Sequence, residues 1–352
     1  MADLIQYLKF AVENEASDIL IVAGGPVCVK IDGHMRAADD ARILPPQAEE
    51  LIRQIYEAAK RPMELFLETR DDDFSFSVPG LARFRVNTFR QRGSMAAVIR
   101  IVSFEIPDWK KRHIPEAVMD LADVDHGMIL VTGTAGSGKS TTQACIIDRI
   151  NETKDYHIIT LEDPIEYLHK NKKSIVSQRE IAIDTADYLT ALRACLRQAP
   201  DVILLGEMRD SETIFTAMTA AETGHALIAT LHTRGAVNAI DRIVDAFPST
   251  QQAQIRIQLA EVLKTVVSQQ LLPDVNGGQV PAYEIMHVTP AIRSLIRDNK
   301  CHQIDNAISA GAREGMISMD QSILALYREG RITRETALEY ADNSETMRRS
   351  LG

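Results

Sequence analysis

The chain is short of the features that would place it outside a cell, within a bilayer or along a nucleic acid. Its four cysteines (Cys28, Cys145, Cys195 and Cys301) lie far apart, and no two form a C-x-x-C pair. That spacing favours reduced, packed thiols over disulfides or a zinc site. No apolar run approaches the roughly 20 residues needed to span a bilayer. The opening residues 1–7, MADLIQY, lack the charged start and long apolar core of a signal peptide. Positive charge is scarce too: 39 Lys and Arg stand against 49 Asp and Glu, a net charge of −10. Direct nucleic-acid binding, which usually needs a basic surface, is therefore not expected. There is no internal repeat and no low-complexity segment. These absences predict a cytoplasmic protein, and 352 residues allow two or three domains with substantial cores. The remaining composition, 45% hydrophobic and 25% charged, is ordinary for a soluble globular chain.

What is present divides into two patterns. Leu4, Ile5, Leu8, Phe10 and Val12 fall at mostly helical spacing and predict a short amphipathic helix over 2–14. Strand-like runs follow at 19–22, 27–31 and 35–37, the last two around the turn Asp32-Gly33. Pro45 and Pro46 restart a helix carrying Leu51, Ile52 and Ile55. A second meander covers 73–78, 81–89 and 96–102, so residues 1–103 read as an α+β domain on an antiparallel sheet. Residues 104–115, with two prolines and three consecutive basic residues, read as a connector. Then the pattern changes to short apolar strands at 128–132, 157–161, 201–205 and 226–231, separated by helices at 139–151, 185–198 and 211–223. That is the signature of a parallel α/β sheet. Beyond residue 235 helices are expected to dominate, interrupted by one hairpin between 269–272 and 280–285.

One stretch carries a chemical signature. From Gly133 to Ser140 the chain reads Gly-Thr-Ala-Gly-Ser-Gly-Lys-Ser, which matches the phosphate-binding pattern G-x-x-x-x-G-K-[ST]. The glycines Gly133, Gly136 and Gly138 let the backbone curl, so that N–H groups of Thr134, Ala135, Ser137 and their neighbours turn toward one anion. A helix starting near Lys139 and Thr141 adds its positive end to the same spot. Lys139 is placed to reach the β- and γ-phosphates of ATP, and the Ser140 hydroxyl to ligate Mg²⁺.

Hydrolysis also needs carboxylates. Glu162 follows the strand 157–161, and Glu207 follows the strand 201–205 after Gly206. Strand ends are the edge where α/β sheets place ligands. In many phosphate-loop enzymes the second strand ends in Asp; here Gly206 holds that place, which leaves Glu207 as the candidate metal-side acid and keeps open the alternative of a nucleotide-dependent accessory subunit that binds ATP but turns it over weakly. His225 and His232 bracket the strand 226–231. A histidine at a strand end can sense a phosphate or serve as a structural polar cap, with His232 the stronger functional case because it follows its strand directly. Five arginines (Arg83, Arg85, Arg90, Arg92 and Arg100) concentrate on the upstream sheet, with Arg83 and Arg85 on one face. They form a solvated face, paired with Asp71, Asp72 and Asp73, or they reach a neighbouring subunit's nucleotide, or, as a minor alternative, they interleave with Phe84 and Phe89 on a single strand of nucleic acid.

Together these motifs resemble the secretion-type hexameric ATPases, specifically the twitching-motility ATPases that retract type IV pili. The resemblance runs over the full length. It rests on Ala16-Ser17-Asp18-Ile19, Asp73-Phe74-Ser75-Phe76, Ala82-Arg83-Phe84-Arg85-Val86-Asn87, the phosphate loop, the acidic box 161–166 (LEDPIE), the segment 206–210 (GEMRD) and the histidine box from Thr223-Gly224-His225 to Leu231-His232-Thr233. The resemblance implies a PAS-like N-terminal domain and a RecA-like P-loop core over 116–288, with a helical region over 289–352. It also implies a homohexamer with ATP between domains, acting at the inner face of the cytoplasmic membrane on a pilus platform protein. It makes Glu162 the water-activating base and Glu207 the Mg²⁺-associated acid, and matches Arg85 and Arg100 to arginines brought to the nucleotide. Extension and type II secretion ATPases carry long N-terminal extensions and a four-cysteine zinc module that this sequence does not show. The stretch 291–298, AIRSLIRD, is close to the retraction signature A-I-R-N-L-I-R-E, with Ser294 and Asp298 in place of Asn and Glu. Ala135 stands where the family usually carries Thr.

Overall fold

The computed structural model describes residues 3–31, 33–102 and 105–352. Asp32 of the expected first turn and the expected domain boundary after residue 103 lie outside the described residues. The chain divides into two compact units, residues 1–105 with 166–168, and residues 106–165 with 169–352.

The first unit is built from α1 (Leu4–Glu13), β1 (Asp18–Val22), β2 (Cys28–Ile31), β3 (His34–Ala37), α2 (Pro45–Ala59), α3 (Glu64–Thr69), β4 (Asp71–Val78), β5 (Ala82–Gln91) and β6 (Ser94–Val102). Its strands form one six-stranded antiparallel sheet in the order β3-β2-β1-β6-β5-β4. On β5 the two-residue period buries Ala82, Phe84, Val86 and Thr88 and leaves Arg83, Arg85 and Asn87 half-buried on the other face. The inward side chains meet Leu51, Ile52, Ile55 and Tyr56 of α2. Burying a side chain such as Phe84 stabilises by roughly 1.5–3 kcal/mol. Asp72 is buried there and satisfied: Arg61 donates Nε and Nη2 to its two oxygens, each at 2.9 Å, and Tyr56 Oη donates at 3.0 Å. Its partner is therefore Arg61, which lies outside the arginine-rich stretch. Helix α3 was not expected, since its six residues are too few to show a period.

The second unit holds α4 (Glu116–Met119), β7 (Gly127–Thr132), α5 (Lys139–Thr153), β8 (His157–Glu162), β9 (Ile175–Glu180), α6 (Tyr188–Cys195), β10 (Val202–Leu205), α7 (Ser211–Glu222), β11 (Ala226–Leu231), α8 (Ala236–Asp245), α9 (Ser249–Val262), β12 (Leu263–Pro273) and β13 (Gln279–His287). Helices α10 (Pro290–Arg297), α11 (Ile304–Ala310), α12 (Met319–Arg328), α13 (Arg334–Tyr340) and α14 (Ser344–Ser350) follow. Seven strands pair in the order β13-β12-β7-β11-β10-β8-β9, all parallel except the edge strand β13. Alternate residues of the central strands face two cores. Met128, Leu130, Ile203 and Leu205 pack with α6, α7 and α8, while Ile129, Val131, Val202 and Leu204 pack with α4 and α5. Two features depart from expectation. The hairpin does not stand apart: β12 joins the parallel sheet beside β7. And β9, a polar strand reading IVSQRE, extends the opposite edge. Among the described residues no helix is long and apolar enough to cross a membrane.

Candidate active site

The phosphate-type loop leaves the buried strand β7 and enters α5, whose N-cap is Gly138. Two of its glycines are required by space as well as by backbone angle. Gly133 has φ +145°, and a Cβ there would lie 2.4 Å from the Gln269 carbonyl oxygen and 2.5 Å from Ser137 Oγ. Gly138 has φ +89°, and a Cβ would lie 2.7 Å from Gln269 Nε2. The two clashes with Gln269 come from β12, whose Ser268 is the register partner of Thr132 on β7. Gln269 is buried and accepts a 2.8 Å hydrogen bond at Oε1 from Thr142 Oγ1 in the first turn of α5. It braces the loop from the neighbouring strand, a role that local sequence does not announce.

Lys139 is 8% exposed and donates from Nζ to the carbonyls of Gly133 and Thr134 at 2.8 and 2.9 Å, so its ammonium sits inside the curl of the loop. Thr134, Ala135 and Gly136 form the exposed rim, and Ser140 and Thr141 open α5 half-buried. Ser137 Oγ and Thr132 Oγ1 are buried without a hydrogen-bond partner among the described residues. Buried hydroxyls normally find one. Unsatisfied hydroxyls beside a lysine and a helix N-terminus suit an anionic ligand with several oxygens.

The strand-end acids gather on the same edge. Gly206 continues β10 and donates its N–H to the Leu161 carbonyl at 2.8 Å. A Cβ on Gly206 would meet Tyr188 Oη at 2.8 Å, the Leu161 carbonyl at 3.0 Å and Glu162 Cα at 3.3 Å. This is why Gly rather than Asp holds that place: no side chain fits between the two strand ends. The carboxylate is supplied one residue later. Thr230 of β11 donates its hydroxyl to the Gly206 carbonyl, and Met208 N–H reaches the Thr230 carbonyl at 3.4 Å, fixing the turn that carries Glu207. Arg209 Nε donates to Glu207 Oε2 at 2.7 Å, and His232 Nε2 stands 3.5 Å from Glu207 Oε1. The structure thus brings Glu207 and His232 together. Glu162 accepts at Oε1 from Thr160 Oγ1 and Gln178 Nε2. Burial first, and then the negative charges of Asp163, Glu207 and Glu162, push the Tyr188 hydroxyl well above its usual range, so it stays protonated among these acids.

His225 is not at this edge. It precedes β11, its carbonyl accepts from Gly127 N–H at the start of β7, and its Nδ1 lies 3.0 Å from the Ala220 carbonyl. At about 3.3 Å per residue, the six steps from His225 to the end of the strand put it roughly 20 Å from the loop of its own chain. Of the two readings open for it, that contact fits a polar cap on the end of α7. In the first unit, Arg85 and Arg100 are cross-strand partners and line a cleft of about 250 Å³ with Asp18, Asp73 and Asn87. Arg100 Nε donates to Asp18 Oδ1 at 3.0 Å.

Beyond the loop, Ser268 Oγ accepts from Gly235 N–H at 2.9 Å, and Glu284 Oε1 accepts from Ala236 N–H at 2.8 Å. The hairpin β12–β13 thereby holds the start of α8, directly after the histidine segment. Burial pushes the Glu284 carboxyl up to about 7, opposed by the Ala236 bond and reinforced by Asp342 and Asp305.

The profile of the family described as Type II/IV secretion system protein matches residues 2–351. The Pseudomonas aeruginosa type IV pilus retraction ATPase PilT is 45% identical over 346 residues, covering 98% of this chain and 100% of the relative. A twitching motility protein of Neisseria gonorrhoeae is 43% identical over 320 residues, 91% of this chain and 85% of its own length. The crystal structure of the pilus retraction motor PilT with bound ADP superimposes with a TM-score of 0.91 at 46% identity, covering 99% of this chain and 100% of that one.

Proposed function

The chain belongs to the Type II/IV secretion system protein family, and on that footing we propose that it is an ATP-hydrolysing motor that powers type IV pilus retraction and twitching motility. One observation carries the reading. A glycine loop braced by Gln269 stands at the sheet edge where Glu162, Glu207 and His232 also end, in a chain alike over nearly its whole length to pilus-retraction relatives.

In this reading the loop 133–141 takes the phosphates of ATP on its backbone N–H groups and on the N-terminus of α5. Lys139 offsets their charge. Ser140 and Glu207 suit Mg²⁺, an ion that keeps phosphate and water oxygens and needs only one or two protein ligands; when bound it neutralises charge on the phosphates. Glu162 orients the attacking water, and His232 follows the loss of the γ-phosphate through its contact with Glu207. Arg85 and Arg100 act on the nucleotide of a neighbouring subunit within a homohexamer. Residues 1–103 form a PAS-like domain, 104–115 a connector, 116–288 a RecA-like core and 289–352 a helical output region. The ring works at the inner face of the cytoplasmic membrane, on a platform protein and other pilus components, with no direct nucleic-acid partner.

Purified full-length chain should release phosphate from ATP, and Lys139→Ala should abolish that release; unchanged release by the variant would overturn the enzymatic reading. Cells lacking the gene should carry surface pili that fail to retract. Cells without pili would instead assign the motor to extension.

A further inference from the structure

A glutamate at the end of a strand is poorly aimed by its own covalent geometry, because the terminal carboxylate torsion is broad and two-fold. A carboxylate that must hold one water in line with a phosphorus atom needs that freedom removed. At Glu162 two side-chain donors converge on one oxygen. Thr160 Oγ1 donates to Oε1 at 2.5 Å, and Gln178 Nε2 donates to the same oxygen at 3.2 Å. The sheet explains why they can. Thr160 lies two residues before Glu162 and so on the same face of β8. In the parallel ladder Thr160 is the register partner of Gln178, and Glu162 of Glu180. Thr160 is fully buried, and Gln178 and Glu162 are half-buried, so water competes weakly for these bonds. Gln178 is itself held: its Oε1 accepts the backbone N–H of His169 at 2.8 Å, which leaves the amide nitrogen facing Glu162.

We propose that Gln178, together with Thr160, is a positioning residue that orients the Glu162 carboxylate for hydrolysis. The inference rests on the assignment of Glu162 as the water-orienting base. It also explains why the edge strand β9 is polar, since that strand carries the amide that aims the carboxylate of its neighbour. The competing role for Gln178 is purely structural, tying β9 to the segment that follows Glu162 through His169.

The test uses full-length protein and compares Gln178→Leu, Gln178→Glu, Thr160→Val, Glu162→Gln and the Gln178→Leu/Glu162→Gln pair. A hydrogen bond to a charged group corresponds to roughly 10- to 100-fold. Gln178→Leu is therefore expected to lower kcat by about that factor, with KM for ATP and the affinity for ADP within twofold of the parent. Gln178→Glu, which sets an acceptor against the carboxylate, should lower kcat further. Removing a donor to the ionised form raises the carboxylate's working pKa, so the acid limb of the kcat–pH profile should move up in Gln178→Leu and in Thr160→Val. In the Glu162→Gln background Gln178→Leu should cost nothing more. The inference is overturned if Gln178→Leu keeps kcat within twofold. It is also overturned if its loss appears in KM and ADP affinity, or if the loss is undiminished in the Glu162→Gln background. If Glu162→Gln itself retains full turnover, the reading of Glu162 fails and the positioning role falls with it, a result distinct from the others.

Discussion

The two sheets obey the same alternation of side chains and use it in opposite ways. On β5 one face is buried and the other keeps Arg83, Arg85 and Asn87 partly in solvent. On β7 and β11 every residue is buried, because helices cover both faces. A sheet covered on both faces can offer chemistry only where its strands end. There it presents turn backbone, a helix N-terminus and the first residues past the strand, such as Glu207. A sheet covered on one face can instead display a row of charge along a strand. The parallel sheet is therefore built to bind at an edge, and the antiparallel one to present arginines on a surface.

Four experiments would break or sharpen that contrast. The largest effect is expected at the displayed face. If Arg85 and Arg100 act on phosphate charge, each replaced by Ala should lower kcat by about 10³-fold while ADP affinity, measured by calorimetry, stays within twofold. Lost ADP affinity at unchanged kcat would make the arginines part of binding and erase the division. Next is the core beneath them. Phe84→Ala should remove about 3–5 kcal/mol from the antiparallel unit, seen as one of two thermal transitions moving while the other stays. A single transition that shifts as a whole would mean the two units unfold together. Third, Gly133→Ala forces a Cβ against the Gln269 carbonyl and should cost about 1–3 kcal/mol, read as roughly 5- to 150-fold weaker ADP binding; parental affinity would remove Gln269 as the brace. The smallest effect is a slope. Glu284 titrates near 7 when folded against 4.5 when free, so the folded chain holds an extra proton between those values. The stability from that proton is full below about pH 4.5 and lost as pH rises through 7. Glu284→Gln should therefore lose less melting temperature than the parent between pH 5 and 8, and equal losses would place the proton elsewhere.

Much of the site was legible because its signals are local. The loop 133–140 is contiguous, and Glu162 and Glu207 follow apolar strand runs directly. Gly206 could be seen only as a departure, since its reason lies in Tyr188 and in the backbone of a neighbouring strand. Gln269, Ser268 and Glu284 were missed as site residues because they act across β12 and β13 on residues 30 to 140 positions away, and the polarity of a residue does not name a partner at that distance. The strand β9 was missed because its residues are chosen for hydrogen bonding at a sheet edge, and β-propensity scales reward packing. For His225 two readings stayed open because sequence shows that a histidine borders a strand but not which end of the sheet that border occupies.

The hairpin β12–β13 has one more consequence. At about 3.4 Å per residue its eleven-residue strand is a beam of roughly 35 Å. It is seated on β7 along one side, on β13 along the other, and through β13 on α12, where Tyr283 N–H donates to Ser322 Oγ at 3.0 Å. Midway along it, Gln269 fills the space beneath the phosphate loop. Its ladder with β7 runs from Leu263 to Ser268, with a shift of register between Leu263 and Thr265, and its ladder with β13 runs from Thr265 to Pro273, so only the middle of the beam is held on both sides. The phosphate loop, through Gly133 and Gly138, and the helix α12, through Ser322, thus rest on the same hairpin.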